Sequence, residues 1–263
     1  MIDTHAHVHA RAFDRDRSEV LERAFAAGVG RILEVNIDAG GFGRARALAE
    51  SDPRVFLTCG IHPHDVTGAQ IADLEGLARE LAHPKVRAVG ETGLDYYRDY
   101  APHDRQREFF ARHVALARES GLPLVIHARE RAEGPSAHED IFRILDQHGR
   151  GKVRGVFHCF SGDLEIAHRA IGAGFLLGIG GAVTYSPKRS APLLQAIAAA
   201  HGPQVFVLET DCPYLTPHPR RRDRNEPANI PAIAAALASY LGADPPEIER
   251  VTDTAAAELF RLQ

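Results

Sequence analysis

Cysteine is scarce in this chain of 263 residues. Cys59, Cys159 and Cys212 stand in three separate segments with no C-x-x-C pair, an odd number and a spacing that argue against a disulfide framework and a thiolate zinc site. Buried reduced thiols are the expectation. Lysine is equally rare, confined to Lys85, Lys152 and Lys188, so arginine carries the rest of the positive charge. No apolar run approaches the roughly 20 residues that a bilayer crossing needs. The opening residues lack the basic start and apolar core of a secretory leader, and a cytoplasmic protein without membrane contact is expected. A formal net charge of −4 gives no general attraction for polyanions, so any nucleic-acid binding has to come from a local site.

What the chain does contain is an alternation. Strand-like runs recur as "IDTHAHV", "RILEVNI", "VFLTCGIH", "VRAVGETG", "PLVIHAR", "VRGVFHCF", "FLLGIGG" and "VFVLETD". Between them, Ser18 to Ala27, "IADLEGLARELA", "DRQREFFARHVALARES", "HEDIFRILDQHG", "LEIAHRAIGAG" and "RSAPLLQAIAAAHG" carry apolar residues at helical spacing. Gly28, Gly121, Gly149, Gly174 and Gly202 stand where left-handed turns would end helices. Repeated βα units imply a parallel sheet, because each return crossover needs a helix. Eight units imply an α/β TIM barrel, (β/α)8, as one domain over residues 1–263. An open doubly wound sheet is the runner-up, but that architecture gathers its ligand groups at one switch point, whereas polar groups here follow nearly every strand. The closing segments "IPAIAAALASYLG" and "PEIERVTDTAAAELFRL" are expected to complete the outer layer.

The C-terminal strand ends of a barrel form its active face. By that rule His5 and His7 end the first strand, His62 and His64 follow the third, and Glu91 and Asp95 follow the fourth. His127 ends the fifth, His158 the sixth, and Glu209 and Asp211 the eighth. In "MIDTHAHVHA" the alternation puts Asp3, His5, His7 and His9 on one face of an extended strand. His5, His7, Glu91, His127, His158 and Asp211 make an imidazole and carboxylate set without thiolate, suited to zinc or manganese and, with a bridging carboxylate, to a pair of ions. An H-x-H pair presents both rings to one side, so His5 and His7 can hold one ion, His127 and His158 a second, with Glu91 placed between. His9 is expected beyond that grip, with no ligand role. His83, His103, His113, His148, His168 and His201 read as ordinary core or surface groups.

With these residues in order, the chain resembles a TatD-type metal-dependent deoxyribonuclease. The resemblance rests on "DTHAHV", "GIHPHD", "GETGLDYYR", "PLVIHAR", "FHCFSGD" and "ETDCPYLTPHPRRRDRNEPANIP", which span essentially the whole chain. It implies an amidohydrolase-like barrel with two divalent ions (zinc, manganese or magnesium). His5 and His7 would hold the first, Glu91 would bridge, His127 and His158 would hold the second, and Asp211 would stand at the first beside the attacking water. A third ion near His62 and His64 is a further option. The implied activity is hydrolysis of phosphodiester bonds in DNA, as a 3′–5′ exonuclease on single strands with a place in DNA repair and no obligate protein partner. Asp211 would accept or orient the proton of the activated water, with Glu91 sharing in catalysis.

Substrate contacts are expected from His62, His64, Tyr96, Arg98 and Arg129, with Tyr96 and Tyr97 suited to stacking on unpaired bases. Arg220 to Arg224, "RRRDR", would either follow a nucleic-acid backbone or form a solvated loop. Asp95 is suited to orienting a ligating imidazole, Glu209 to lying behind the ligands or in the lower interior, and Asn225 and Glu226 to bracing the Asp211 loop. "GETGLD" and "ETDCP" each depart from the usual family motif at one residue that is not a ligand, and "RERAEGPSAHED" is longer than the usual loop. Two other functions fit the same ligands: a hydrolase of a carbonyl bond, such as an amide or the ester of an aminoacyl-tRNA, and a metal-binding scaffold without turnover.

Overall fold

The computed structural model describes residues 1–262, and its eight apolar runs become eight strands. These are β1 (Ile2–Ala6), β2 (Arg31–Glu34), β3 (Val55–Cys59), β4 (Val86–Asp95), β5 (Leu124–Arg129), β6 (Gly155–Phe157), β7 (Phe175–Ile179) and β8 (Phe206–Leu208). They pair in chain order and every pairing is parallel. A bridge between Ala6 and Cys212 brings the first strand to the last. There the Asp211 amide donates to the His5 carbonyl at 2.8 Å and the His7 amide to the Cys212 carbonyl at 2.9 Å. The fold is the expected TIM barrel, and its seam runs through three of the proposed ligands.

Nine helices are described: α1 (Arg17–Ala26), α2 (Phe42–Ser51), α3 (Ile71–Glu80), α4 (His103–Ser120), α5 (Ala137–Ile144), α6 (Leu164–Gly172), α7 (Pro187–His201), α8 (Ile230–Leu241) and α9 (Pro245–Phe260). Sequence periodicity did not single out α2. Its buried residues, Phe42, Ala45, Leu48 and Ala49, do fall at helical spacing, but two are alanines and glycines flank Phe42. Gly149 does not close its helix either: α5 continues as a π-helical turn through Gly149, and Arg150 takes the left-handed position at φ 53°. α9 does more than complete the outer layer. Its Leu259 and Phe260 join Ile2, Leu33, Phe56 and Val125 in a second apolar cluster.

The parity argument for β1 needs correction. A register irregularity falls between Asp3 and Ala6, and the strand stops at Ala6. Asp3 accepts hydrogen bonds from the Thr210 amide and hydroxyl at 2.9 and 2.6 Å. His9 pairs through Nδ1 with the buried Glu34. Only His5 and His7 of that row remain for the centre. Glu91 and Asp95 likewise lie within β4 rather than after it.

His113, on α4, is an ordinary core group as expected and carries a measurable consequence. Its Nδ1 hydrogen donates to the Phe109 carbonyl at 2.7 Å, and its Nε2 accepts the Ile61 amide at 3.0 Å, so the neutral ring is fully used. Burial pulls its pKa down to about 4. An unfolded histidine titrates near 6.5, so between those values the unfolded chain binds the extra proton. The stabilisation is complete above pH 6.5 and disappears as pH falls towards 4, a difference of about 3 kcal/mol. In urea titrations, His113→Leu should be less stable at pH 7, because the Ile61 amide loses its acceptor, yet should decline less between pH 6.5 and 4. Parallel stability curves would show that His113 does not set this part of the acid limb.

Candidate metal centre

Glu91 occupies the middle of the mouth. Its Oε2 is 3.2 Å from His5 Nε2, and its Oε1 is 3.1 Å from His127 Nδ1, 3.5 Å from His62 Nε2 and 3.7 Å from His158 Nε2. Asp211 stands on the other side, its Oδ1 3.4 Å from His7 Nε2, 3.9 Å from His5 Nε2 and 4.0 Å from His158 Nε2. Five imidazoles therefore face two carboxylates. The six sequence-designated ligands are brought together, and His62 joins them.

The ring orientations are fixed from behind. His7 donates its Nδ1 hydrogen to the Val35 carbonyl at 2.8 Å, which aims Nε2 at the centre. His158 Nδ1 lies 3.1 Å from Glu209 Oε1. The same Glu209 oxygen accepts the Cys159 amide at 2.5 Å, so a fixed, fully buried carboxylate stands behind His158 without a hydrogen bond to its Nδ1. Asp95 Oδ2 is shared by His127 Nε2 at 3.0 Å and His64 Nε2 at 2.8 Å. Such outer carboxylates fix the tautomer and raise the basicity of a ligating imidazole.

Two glycines make room for this arrangement. A Cβ on Gly178 would lie 2.4 Å from the Glu209 carboxylate, and one on Gly93, at φ 143°, would lie 2.0 Å from the His127 carbonyl. Asp211 itself sits at φ 57°, in the left-handed region where a non-glycine residue is held only by its surroundings. The hydrogen bond from its amide to the His5 carbonyl and the one from the Tyr214 amide to its own carbonyl, at 2.8 and 2.9 Å, supply that restraint.

The electrostatics point to cations. Burial alone would raise the Glu91 and Asp211 carboxyls, but the surrounding imidazoles overcome it and hold Glu91 well below, and Asp211 below, the usual carboxylate range. Burial would likewise lower His7 and His158, yet Asp211 beside the first and Glu209 beside the second lift them to about 9 and about 10. His5 and His62 go the other way, burial dominating, His62 to about 4. The two carboxylates thus demand positive charge, and His5 Nε2 and His7 Nε2, 3.2 Å apart, are held towards each other by a proton where an ion would serve both. Nitrogen and oxygen donors lie within 4.8 Å of one another in four groups: His5, His7 and Asp211; His62, Glu91 and His127; His64, Asp95 and His127; and His5, His158 and Glu209, which places His158 beside His5 rather than beside His127. Divalent ions fit such a set better than protons do.

The sequence profile of the TatD related DNase family matches residues 2–261. The chain belongs to that family. Among its relatives is the uncharacterized metal-dependent hydrolase YabD of Bacillus subtilis, 38% identical over 263 residues, covering 100% of this chain and 99% of the relative. The 3′-5′ ssDNA/RNA exonuclease TatD of Escherichia fergusonii is 32% identical over 267 residues, covering 100% and 99%. The crystal structure of YJJV, a TatD homologue from Escherichia coli K12, superposes with a TM-score of 0.89 at 30% identity, covering 99% and 98%.

Not every expected residue reaches the TatD centre. Tyr96 is 3% exposed: its hydroxyl donates to Asp140 at 2.7 Å and its ring stacks on His103 at 3.8 Å, so it packs against α4 and α5 instead of meeting substrate. Its neighbour Tyr97 is exposed, with the guanidiniums of Arg129 and Arg98 over its ring at 4.3 and 5.3 Å. The "RRRDR" run divides. Arg224 pairs with Asp16 at 2.6 Å and Arg220 with Asn229 at 2.5 Å, whereas Arg221 lies over the Tyr185 ring at 4.1 Å. Asn225 Nδ2 donates to the Thr210 and Tyr214 carbonyls at 2.8 and 2.6 Å, bracing the Asp211 loop, and Glu226 pairs with Arg23 of α1 at 2.7 Å. Burial raises all three thiols, which removes them as nucleophiles.

Sequence reasoning passed over Glu34 and Tyr214. Glu34 accepts the amides of Val8 and His9, each at 3.0 Å, and so holds the turn that follows His7. Tyr214, in the loop after β8, lies edge-on to His7 with ring centroids 6.3 Å apart. The motif "ETDCPY" places it three residues past Asp211, and that was the available signal. Among the described residues, no helix is long and apolar enough to cross a membrane.

Proposed function

We propose that this TatD-family barrel is a divalent-metal-dependent nuclease that removes nucleotides from the 3′ end of single-stranded DNA, working in the cytoplasm as one hydrolase unit over residues 1–263. The observation that carries this reading is the convergence of His5, His7 and Asp211 beside His62, Glu91 and His127 at one rim, together with the family's DNase character. His5, His7 and Asp211 would hold one ion, His127 and His158 a second, and Glu91 both; His62 and His64 would serve a third. Zinc, manganese or magnesium would supply Lewis-acid charge and lower the pKa of water towards neutrality.

The protein's own groups supply the rest. Asp211 is the more open of the two central carboxylates, its side chain 14% exposed against 4% for Glu91, so it is the one placed to take the proton of an attacking water. Glu91, enclosed by imidazoles, stays ionised and fixes charge at the centre. His62 and His64 line the approach on the β3 side. Arg98 and Arg129 offer positive charge to phosphates, which the chain's overall negative charge does not.

A chelator-treated enzyme should be inert on 5′-labelled and 3′-labelled single strands, and one of the three metals should restore a ladder that shortens from the 3′ end. Restored activity on an aminoacyl ester with none on either strand would replace this reading with the carbonyl-bond hydrolase. Bound metal without turnover of either would leave a scaffold.

A further inference from the structure

The three exposed large hydrophobic side chains among the described residues are all tyrosines of the active face: Tyr97 at 42%, Tyr100 at 61% and Tyr214 at 61%. Scattered surface aromatics need no explanation, but concentration at one mouth does. Two of them follow β4 and the third follows β8. In an eight-stranded ring paired in chain order, those strands stand four apart, on opposite sides of the opening, with the Glu91 and Asp211 carboxylates between them.

Tyr214 is held rigidly yet left uncovered. Its amide donates to the Asp211 carbonyl at 2.9 Å and its own carbonyl accepts Asn225 Nδ2 at 2.6 Å, while its ring meets His7 only by an edge. A fixed, solvent-facing aromatic beside the reacting centre is a stacking platform for an unpaired base. Across the opening, Tyr97 is fixed by its amide on Asp95 Oδ1 at 2.9 Å and by Arg131, whose Nη2 donates to its carbonyl at 3.1 Å. Its ring steadies the Arg129 and Arg98 guanidiniums, and neither arginine lies in an ion pair among the described residues. Their charge is left for a phosphate.

Resting on the nuclease reading, we propose that an unpaired strand lies along the β4–β8 diameter of the barrel mouth, with Tyr214 stacking the base next to the bond that is cut and Arg129, carried on Tyr97, holding a phosphate on the opposite rim. The enzyme then needs several unpaired nucleotides, and a blunt duplex end, whose bases cannot splay to Tyr214, is a poor substrate.

Steady-state kinetics on single strands carrying either one abasic nucleotide or one neutral methylphosphonate linkage, moved along the 3′ end, test this. With wild-type enzyme, an abasic terminal position should raise KM about ten-fold, the worth of one base–aromatic stack. Tyr214→Ala should raise KM by a similar factor on the intact strand and be indifferent to the abasic substitution; Tyr214→Phe should restore discrimination. Arg129→Gln should be indifferent to a methylphosphonate at one internal linkage that penalises wild type, and should flatten the salt dependence of KM by about one phosphate contact. If both variants respond to the same nucleotide, or if Tyr214→Ala still penalises the abasic strand as wild type does, the diameter assignment is wrong although the nuclease reading stands. Metal-loaded wild-type enzyme with no action on any strand overturns both.

Discussion

Exchanging Asp211 for asparagine should lower kcat by about 10³-fold while leaving most of the metal bound. The size follows from what one positioned acid–base group contributes, about 10² to 10⁴ in rate. The separation of turnover from binding follows from the structure. Asparagine is among the residues that tolerate the left-handed backbone best, so the φ 57° of Asp211 is no obstacle. The hydrogen bonds of its backbone to His5 and Tyr214 do not involve the side chain. The amide keeps one oxygen towards His7 and His5 but cannot take a proton from water. What changes is one negative charge and one base. Metal content measured on the purified variant, beside kcat on a single strand, checks the claim. Turnover near the wild-type level removes Asp211 from the proton path, and loss of the ions makes it chiefly a ligand.

The barrel was legible because its evidence repeats: strand-like runs and helical stretches alternate along the whole length, and a weak signal at one of them, as at α2, does not change the total. The cluster of imidazoles and carboxylates at the mouth was legible because such groups at the ends of several strands have few other uses. The rest depended on local geometry. Which of two adjacent tyrosines turns outward is decided by Asp95, whose Oδ1 accepts the Tyr97 and Arg98 amides at 2.9 and 2.8 Å and so sets the direction of the chain after β4. No periodicity distinguishes Tyr96 from Tyr97. Glu34 sits in a buried strand where its charge looks misplaced until the Val8 and His9 amides and the His9 ring are seen around it. Asp3 was assigned by strict alternation to the row of His5 and His7, and its carboxylate is taken up by the Thr210 amide and hydroxyl.

Glu91→Gln should separate the two carboxylates by the opposite signature, losing metal along with activity. The three imidazoles whose pKa is raised each keep a carboxylate that this substitution does not touch: His7 has Asp211, His158 has Glu209 and His127 has Asp95. His5 and His62, the pair that burial pushes down, are neutral without Glu91. The metal-free fold therefore loses little, and a glutamine of the same size fills the same space. The ions lose the one group that reaches both donor sets, since Glu91 Oε2 faces His5 while Oε1 faces His127, His62 and His158. Outer-shell partners alone are worth about 10 to 100-fold in metal affinity or activity, so removal of this central charge should exceed 100-fold in both. The expected result is a metal content at least one ion per chain below that of wild type, thermal unfolding of the chelated protein close to wild type, and turnover that rising metal concentration restores only in part. Two retained ions with turnover near wild type would mean that Glu91 does not join the donor sets, and the assignment of His127 and His158 to a second ion would fall with it.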